Sequence, residues 1–142
     1  MASKMTFNDW MDNALYGGTG YYATARGRSG RAGDYFTAPD TGPAFGQMLS
    51  TIFKDWQSRL KAAPFTLVEV GAGEGGLAKV MIGANQKYIA VERSPYRQYV
   101  LNQIPDLTVY PDLTPLVSNP IEGILFANEL IDALPMHRIR KN

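Results

Sequence analysis

Apolar residues follow two regimes along this chain: helical spacing before Pro64, and short strand-like runs separated by turns after it. Thr6 opens the first helix through a T-x-x-D pattern in which Asp9 can reach back to free backbone amides. Phe7, Trp10, Met11, Ala14 and Leu15 then recur at helical spacing and predict one apolar face packed on a core. Asp40 or Thr41 is the expected cap of a second helix, with Pro43 in its first turn, where the missing N–H costs nothing. Phe45, Met48, Leu49, Ile52, Phe53, Trp56 and Leu60 give that helix the clearest amphipathic stripe in the chain, which the spacing assigns to the core.

Past Pro64 strands and helices alternate. Strand 66–71 leads to a helix of about two turns (77–82) that ends at Gly83. Strand 88–92 leads to a helix with Ser94 as N-cap and Pro95 at its first position, running to about Gln103. A short strand at 107–110 turns at Pro111 and Asp112, and strand 121–127 runs into N-E-L-I-D-A-L-P. This alternation predicts βαβ crossovers and a parallel sheet covered on both faces.

Residues 17–39 lack periodicity and are rich in glycine, a length that marks a functional loop or a disordered one. Arg26, Arg28 and Arg31 interleave there with Tyr21, Tyr22, Tyr35 and Phe36. Basic residues among aromatics can grip phosphates and stack bases. The net charge of the 142 residues is only +1, however, so nucleic acid is not an expected partner, and the aromatics are expected to pack the loop down beside a cavity. The chain has no cysteine and a single histidine, His137, which excludes thiolate chemistry and leaves no expected metal site. No apolar run is long enough to span a bilayer, so a cytoplasmic location without membrane contact is expected, or a mitochondrial one after loss of a transit peptide.

The stretch T-L-V-E-V-G-A-G-E-G-G (66–76) concentrates the chemistry. Glycine permits positive φ and close approach of a ligand, while a following helix would aim free N–H groups at it. Gly71-x-Gly73-x-x-Gly76 satisfies the dinucleotide fingerprint, with Glu92 placed 21 residues after Gly71 for a ribose diol. The same residues fit E-x-G-x-G-x-G through Glu69, Gly71, Gly73 and Gly75, the pattern of class I methyltransferases that bind S-adenosylmethionine. An acid inside the first strand is expensive to bury unless it organises the loop around a cationic amino-acid moiety, and that favours the second template. Glu92 for the ribose, Asp112 for the adenine amine and Asn128-Glu129 after the fourth strand then lie along one carboxyl edge.

The blocks A-L-Y-G-G-T-G-Y-Y (14–22), G-D-Y-F-T-A-P-D-T-G-P-A-F-G-Q-M-L (33–49), V-E-V-G-A-G-E-G (68–75), V-E-R-S-P-Y-R-Q (91–98) and A-N-E-L-I-D-A-L-P (127–135) resemble the MidA family of S-adenosylmethionine-dependent methyltransferases. That family includes a mitochondrial assembly factor that methylates an arginine on a subunit of respiratory complex I. The resemblance runs through essentially the whole chain in order. It implies an α/β class I Rossmann-like parallel sheet (64–142) behind an N-terminal helical cap (1–63), the two forming one unit. It also implies S-adenosyl-L-methionine as cofactor and a protein substrate, such as a respiratory-complex subunit. Arg93 beside Glu92, Leu113 beside Asp112, and Asp34 and Thr37 of the loop block join the cofactor residues on this basis, as does Ala72, where the family usually has proline. Glu129, Asn128 and Asp132 are the expected catalytic group: Glu129 and Asp132 are three apart, on one face if Asn128 starts a helical turn, and would orient a guanidinium and accept its proton. Family members are longer, and their sheet has seven strands where this chain supplies four. The sheet is therefore expected to stop after its fourth strand and to expose an edge that invites self-association. A non-catalytic interaction protein and an NAD-dependent oxidoreductase are the competing readings.

Overall fold

A computed structural model describes residues 4–141 apart from residues 26, 28, 62, 63, 84 and 85. Among the described residues four parallel strands form one sheet: β1 (Thr66–Val70) lies between β2 (Lys87–Val91) and β4 (Gly123–Ala127), and β3 (Leu107–Tyr110) pairs with the far side of β2. Strand order therefore advances from β1 to β3 on one side and then jumps back to β4 on the other. The reversal falls between β1 and β4, and open parallel sheets bind ligands outside the carboxyl ends of their strands at such a point.

Strand alternation divides the core in two. Leu67 and Tyr88 join Phe53, Phe65, Leu77 and Ile124 in one buried cluster, against α2 (Pro43–Leu60) and α3 (Ala78–Met81). Val68, Ile89 and Val91 face the other way and pack with Val70, Tyr110, Leu116 and Ile121. Glu69 is 4% exposed and sits opposite Ala90 of β2 and Phe126 of β4. A carboxyl group is thus buried at the centre of the sheet.

The capping box of α1 (Phe7–Tyr16) is present in both directions: Asp9 N donates to Thr6 Oγ1 at 3.1 Å, and Thr6 N donates to Asp9 Oδ2 at 3.2 Å. The apolar face of α1 is not core, since none of its residues is buried and Trp10 is 55% exposed. Instead α1 is pinned at its end, where the Tyr16 hydroxyl donates to Ala133 O. Neither Asp40 nor Thr41 caps α2. They belong to a 3₁₀ turn (Ala38–Thr41) in which Asp40 accepts from Thr37 N at 2.8 Å, and Gly42, at φ 125°, stands at the start of α2.

The stripe on α2 is likewise only half core. Phe53 is buried and Phe45 and Leu49 pack beside it, while Met48, Trp56 and Leu60 are about half exposed. α3 is a single turn rather than two, because Ile82 leaves the helix in extended conformation. Ser94 caps α4 (Pro95–Leu101) as expected, accepting from Arg97 N. Helix α5 (Thr114–Ser118), absent from the sequence reading, joins β3 to β4.

The division of the α2 stripe is measurable by urea denaturation. Phe53→Ala should cost about 3–4 kcal/mol, through lost transfer energy and the cavity left between α2 and Phe126. Met48→Ser, on the exposed half, should stay within about 0.5 kcal/mol of the parent.

Candidate functional site

A cavity of about 1040 Å³ opens at the carboxyl ends of the four strands. Its wall draws on the segment after each strand: Gly71 to Glu74 after β1, Glu92 and Arg93 after β2, Asp112 and Leu113 after β3, and Asn128 to Leu130 after β4. The long loop closes the opposite side with Tyr22, Ser29 and Tyr35 to Thr37.

The turn after β1 achieves its shape with glycines at φ 77° (Gly71), 59° (Gly73) and 78° (Gly75), but these do different work. A Cβ on Gly73 would meet nothing within 4 Å, so this glycine keeps a ligand's path clear. A Cβ on Gly75 would lie 2.5 Å from Ile104 Cδ1, and Gly75 is absent from the cavity wall: it is a packing glycine under α4, not the cofactor contact expected. The expectation of free amides aimed at a ligand is not met by the glycines of the first part of the turn. Gly71 N and Ala72 N donate to Val91 O, Gly73 N to Glu92 Oε2 and Gly75 N to Ala72 O, and the helix that follows has four residues.

Glu92, 5% exposed, accepts from Gly73 N at 2.9 Å and Ser94 N at 2.8 Å, one bond on each oxygen. A carboxylate oxygen has two lone-pair directions, so both can still receive a hydroxyl from a ligand. Asp112 accepts from Thr114 N through Oδ1 at 2.7 Å, and hydrogen bonding to the Thr114 side chain and then to its amide holds the carboxyl below the usual carboxylate range. Glu69 lies in the cavity wall beneath the glycine turn. Burial pushes its carboxyl up from 4.5 to about 7, against the opposing pull of a hydrogen bond from Tyr88, and the Glu92 charge adds to the rise. Burial and the Glu69 charge push the Tyr88 hydroxyl upward too.

Asn128, Glu129 and Asp132 all reach the cavity wall, but not on a helical turn begun by Asn128. Glu129 adopts φ 50°, and the 3₁₀ turn starts only at Ile131 (Ile131–Ala133). Glu129 Oε1 accepts from Ala38 N at 3.2 Å, tying the end of β4 to the loop. Thr37 lines the cavity and is bonded to Asp40, whereas Asp34 is exposed, accepts from Tyr21 and does not line it. Arg93 pairs with Asp12 at 2.7 Å and lies 4.2 Å over the Tyr16 ring.

Arg97, which the sequence did not single out, and the N-cap Ser94 hold the loop in place. Arg97 donates to Gly27 O and Tyr35 Oη and stands over the Tyr22 ring, while Ser94 Oγ donates to Tyr22 O. Loop aromatics pack on one another, Tyr21 and Tyr22 edge-to-face with ring centroids 5.0 Å apart. Arg26 and Arg28 lie outside the described residues.

The model of a family described as S-adenosyl-L-methionine-dependent methyltransferases matches residues 45–142. The chain belongs to this family. A mitochondrial protein arginine methyltransferase NDUFAF7 homolog from Drosophila melanogaster is 34% identical over 70 residues, 49% of this chain, and human NDUFAF7 is 32% identical over 74 residues, 51% of it. Those alignments span 16% and 17% of the two relatives. A COG1565 superfamily member from Burkholderia thailandensis, solved with S-adenosyl-homocysteine bound, is 27% identical and superposes with a TM-score of 0.73 over 92% of this chain and 38% of its own. A second structure of that superfamily from the same organism gives 0.66 at 25% identity, over 93% and 36%. The parallel sheet and its α/β architecture are those of S-adenosylmethionine-dependent methyltransferases. Among the described residues no helix is long and apolar enough to cross a membrane.

Buried Glu69 carries a pH signature. The folded state binds its proton more tightly than the unfolded state, so its contribution to stability is full below pH 4.5. That contribution falls by about 3 kcal/mol as the pH rises to about 7. Glu69→Gln should remove this fall: without ligand, the stability difference between variant and parent should swing toward the variant across the interval, as read from urea melts at pH 4.5, 6 and 7.5.

Proposed function

We propose that the cavity binds S-adenosyl-L-methionine and that the protein transfers its methyl group to an arginine of a protein substrate. The observation that carries the cofactor choice is the charge of the cavity wall. A pyrophosphate calls for free N–H groups at the start of a sustained helix and for positive charge, whereas here the Gly71, Ala72, Gly73 and Gly75 amides are donated within the protein and a single helical turn follows. What the cavity offers instead is negative charge. Seven carboxyl groups and three basic side chains line it, although the whole chain is nearly neutral. The bases are themselves engaged: Arg93 with Asp12, Arg97 with Gly27 and Tyr35, and Lys79 with Glu74 O. Such a surface favours a ligand with an ammonium and a sulfonium over one with a pyrophosphate.

The bound cofactor supplies a methyl carbon on a positively charged sulfur, which leaves as a neutral thioether when the acceptor nitrogen attacks in line. The remaining work is positioning and proton transfer. Asn128 lines the methyl end, and Glu129 orients the acceptor guanidinium through Oε2, its Oε1 being tied to Ala38. Asp132 stands on the same wall to share the guanidinium and take the proton that the new C–N bond displaces. About 1040 Å³ exceeds what a cofactor of this size fills, so an arginine side chain can share the space. The arginine acceptor is supported by the two mitochondrial relatives, both protein arginine methyltransferases.

Calorimetric titration tests the cofactor. S-adenosyl-homocysteine and S-adenosylmethionine should bind and NAD should not; Glu92→Ala should weaken binding by about 100-fold, since it removes the ribose acceptor and frees the Gly73 amide. Preference for NAD would reject the proposal. For the acceptor, Glu129→Gln should lower methyl transfer to a protein arginine about 100-fold, with cofactor affinity kept.

A further inference from the structure

Tyr88 is fully buried on β2, and its hydroxyl donates to Glu69 Oε2 at 2.7 Å. A tyrosine hydroxyl in an apolar core is costly unless bonded, and this one meets an equally buried acid in place of a backbone group. Its ring is fixed by Phe126, edge-on at 6.4 Å, and by the cluster under α2. The hydroxyl therefore has a fixed direction. No buried side-chain oxygen among the described residues lacks a hydrogen-bond partner. Glu69 Oε1 has no such bond, so it is the oxygen that opens on the cavity.

We propose that Tyr88 is a positioning residue for cofactor binding: it grips one oxygen of Glu69 from within the core, so that the other stays charged and stationary beneath the ammonium-bearing end of the ligand. The inference rests on the S-adenosylmethionine reading of the cavity. A hydrogen bond that favours a carboxylate over its acid lowers the pH at which the group becomes charged. Without the Tyr88 hydroxyl, Glu69 would meet burial and the Glu92 charge with nothing to offset them. From β2 Glu69 is faced by Tyr88 and Glu92, and from β4 by Phe126, with Glu129 and Asp132 beyond it on the cavity wall. Lys79 follows the turn on α3, bonded to Glu74 O. His137 exerts its charge on Asp9 rather than on Glu69.

The test is the affinity for S-adenosyl-homocysteine, measured calorimetrically from about pH 6 to 9.5 in buffers of different ionisation enthalpy, which also counts protons released on binding. The parent should bind about tenfold more tightly at pH 8 than at pH 6 and release a proton near pH 6. Tyr88→Phe should shift this profile to higher pH, binding about fivefold more weakly than the parent near neutrality and equally well at the alkaline end. A uniform loss at every pH would mean that the hydroxyl only supports the fold, and an unchanged profile would mean that it does nothing for the ligand; either overturns the inference while leaving the cofactor reading intact. Failure of the parent to bind at any pH would instead reject the cofactor reading and this inference together. If Tyr88→Phe does not fold, Glu69→Gln decides. A flat profile between pH 6 and 8 without proton release supports the inference, and a profile with the parent's slope overturns it, because Tyr88 would then hold no group that answers to the ligand.

Discussion

Everything at the cavity depends on one costly arrangement, a carboxyl group buried in the middle strand of a parallel sheet. Such a group raises its own protonation midpoint and lowers stability near neutrality unless something compensates. Tyr88 compensates in part, from the adjacent strand. In the proposed reading a positive ligand supplies the remainder, and the fold without it is held short of its best stability by the same buried acid, Glu69. Strand pairing makes this possible: Glu69 lies between Ala90, which leaves room, and Phe126, which excludes water. Its neighbours in sequence, Val68 and Val70, belong to the opposite face of the sheet.

The order of the strands turns that local arrangement into a site. Because the chain returns to place β4 beside β1, the segments after both strands flank the gap where the order reverses, and their polar residues meet without any long-range design in the sequence. Residues of the cap and loop then close the opening through a small set of ties. Tyr16 bonds Ala133, Arg97 bonds Gly27 and Tyr35, and Glu129 bonds Ala38. Each tie joins a residue of the cap or loop to a segment that follows a strand, so cap and loop are registered against the cavity edge rather than against the core.

The sequence made the strands, the glycine turn and the Ser94-Pro95 start of α4 legible because each is a local pattern with a local physical cause. The cavity-facing acids were legible for a related reason: a polar residue just after an apolar run is either wasted or placed for a ligand. What was hidden depended on partners distant in sequence. Tyr88 looks like an ordinary strand aromatic until the register sets it against Glu69. The exposed half of the α2 stripe, Met48, Trp56 and Leu60, repeats as regularly as the buried half, and periodicity records amphipathicity without recording what covers it. Asp40 has the composition of a helix cap but caps the preceding 3₁₀ turn, since Pro39 and Pro43 restrict the backbone on both sides of it.

The glycine turn shows why a motif alone leaves its ligand undecided. Gly71 and Gly73, both at positive φ, belong to the dinucleotide and the S-adenosylmethionine templates alike, and their spacing cannot separate the two. The separation lies in where the amides go. Glu92 takes the Gly73 amide and Val91 takes those of Gly71 and Ala72, so this part of the turn has exchanged its donors for an acid at its rim. A loop built in this way presents acceptors and negative charge, the inverse of an anion cradle, and its natural ligands carry hydroxyls and positive charge. Glycine spacing thus sets the path of the backbone, and the hydrogen bonds that this path permits set the sign of the ligand.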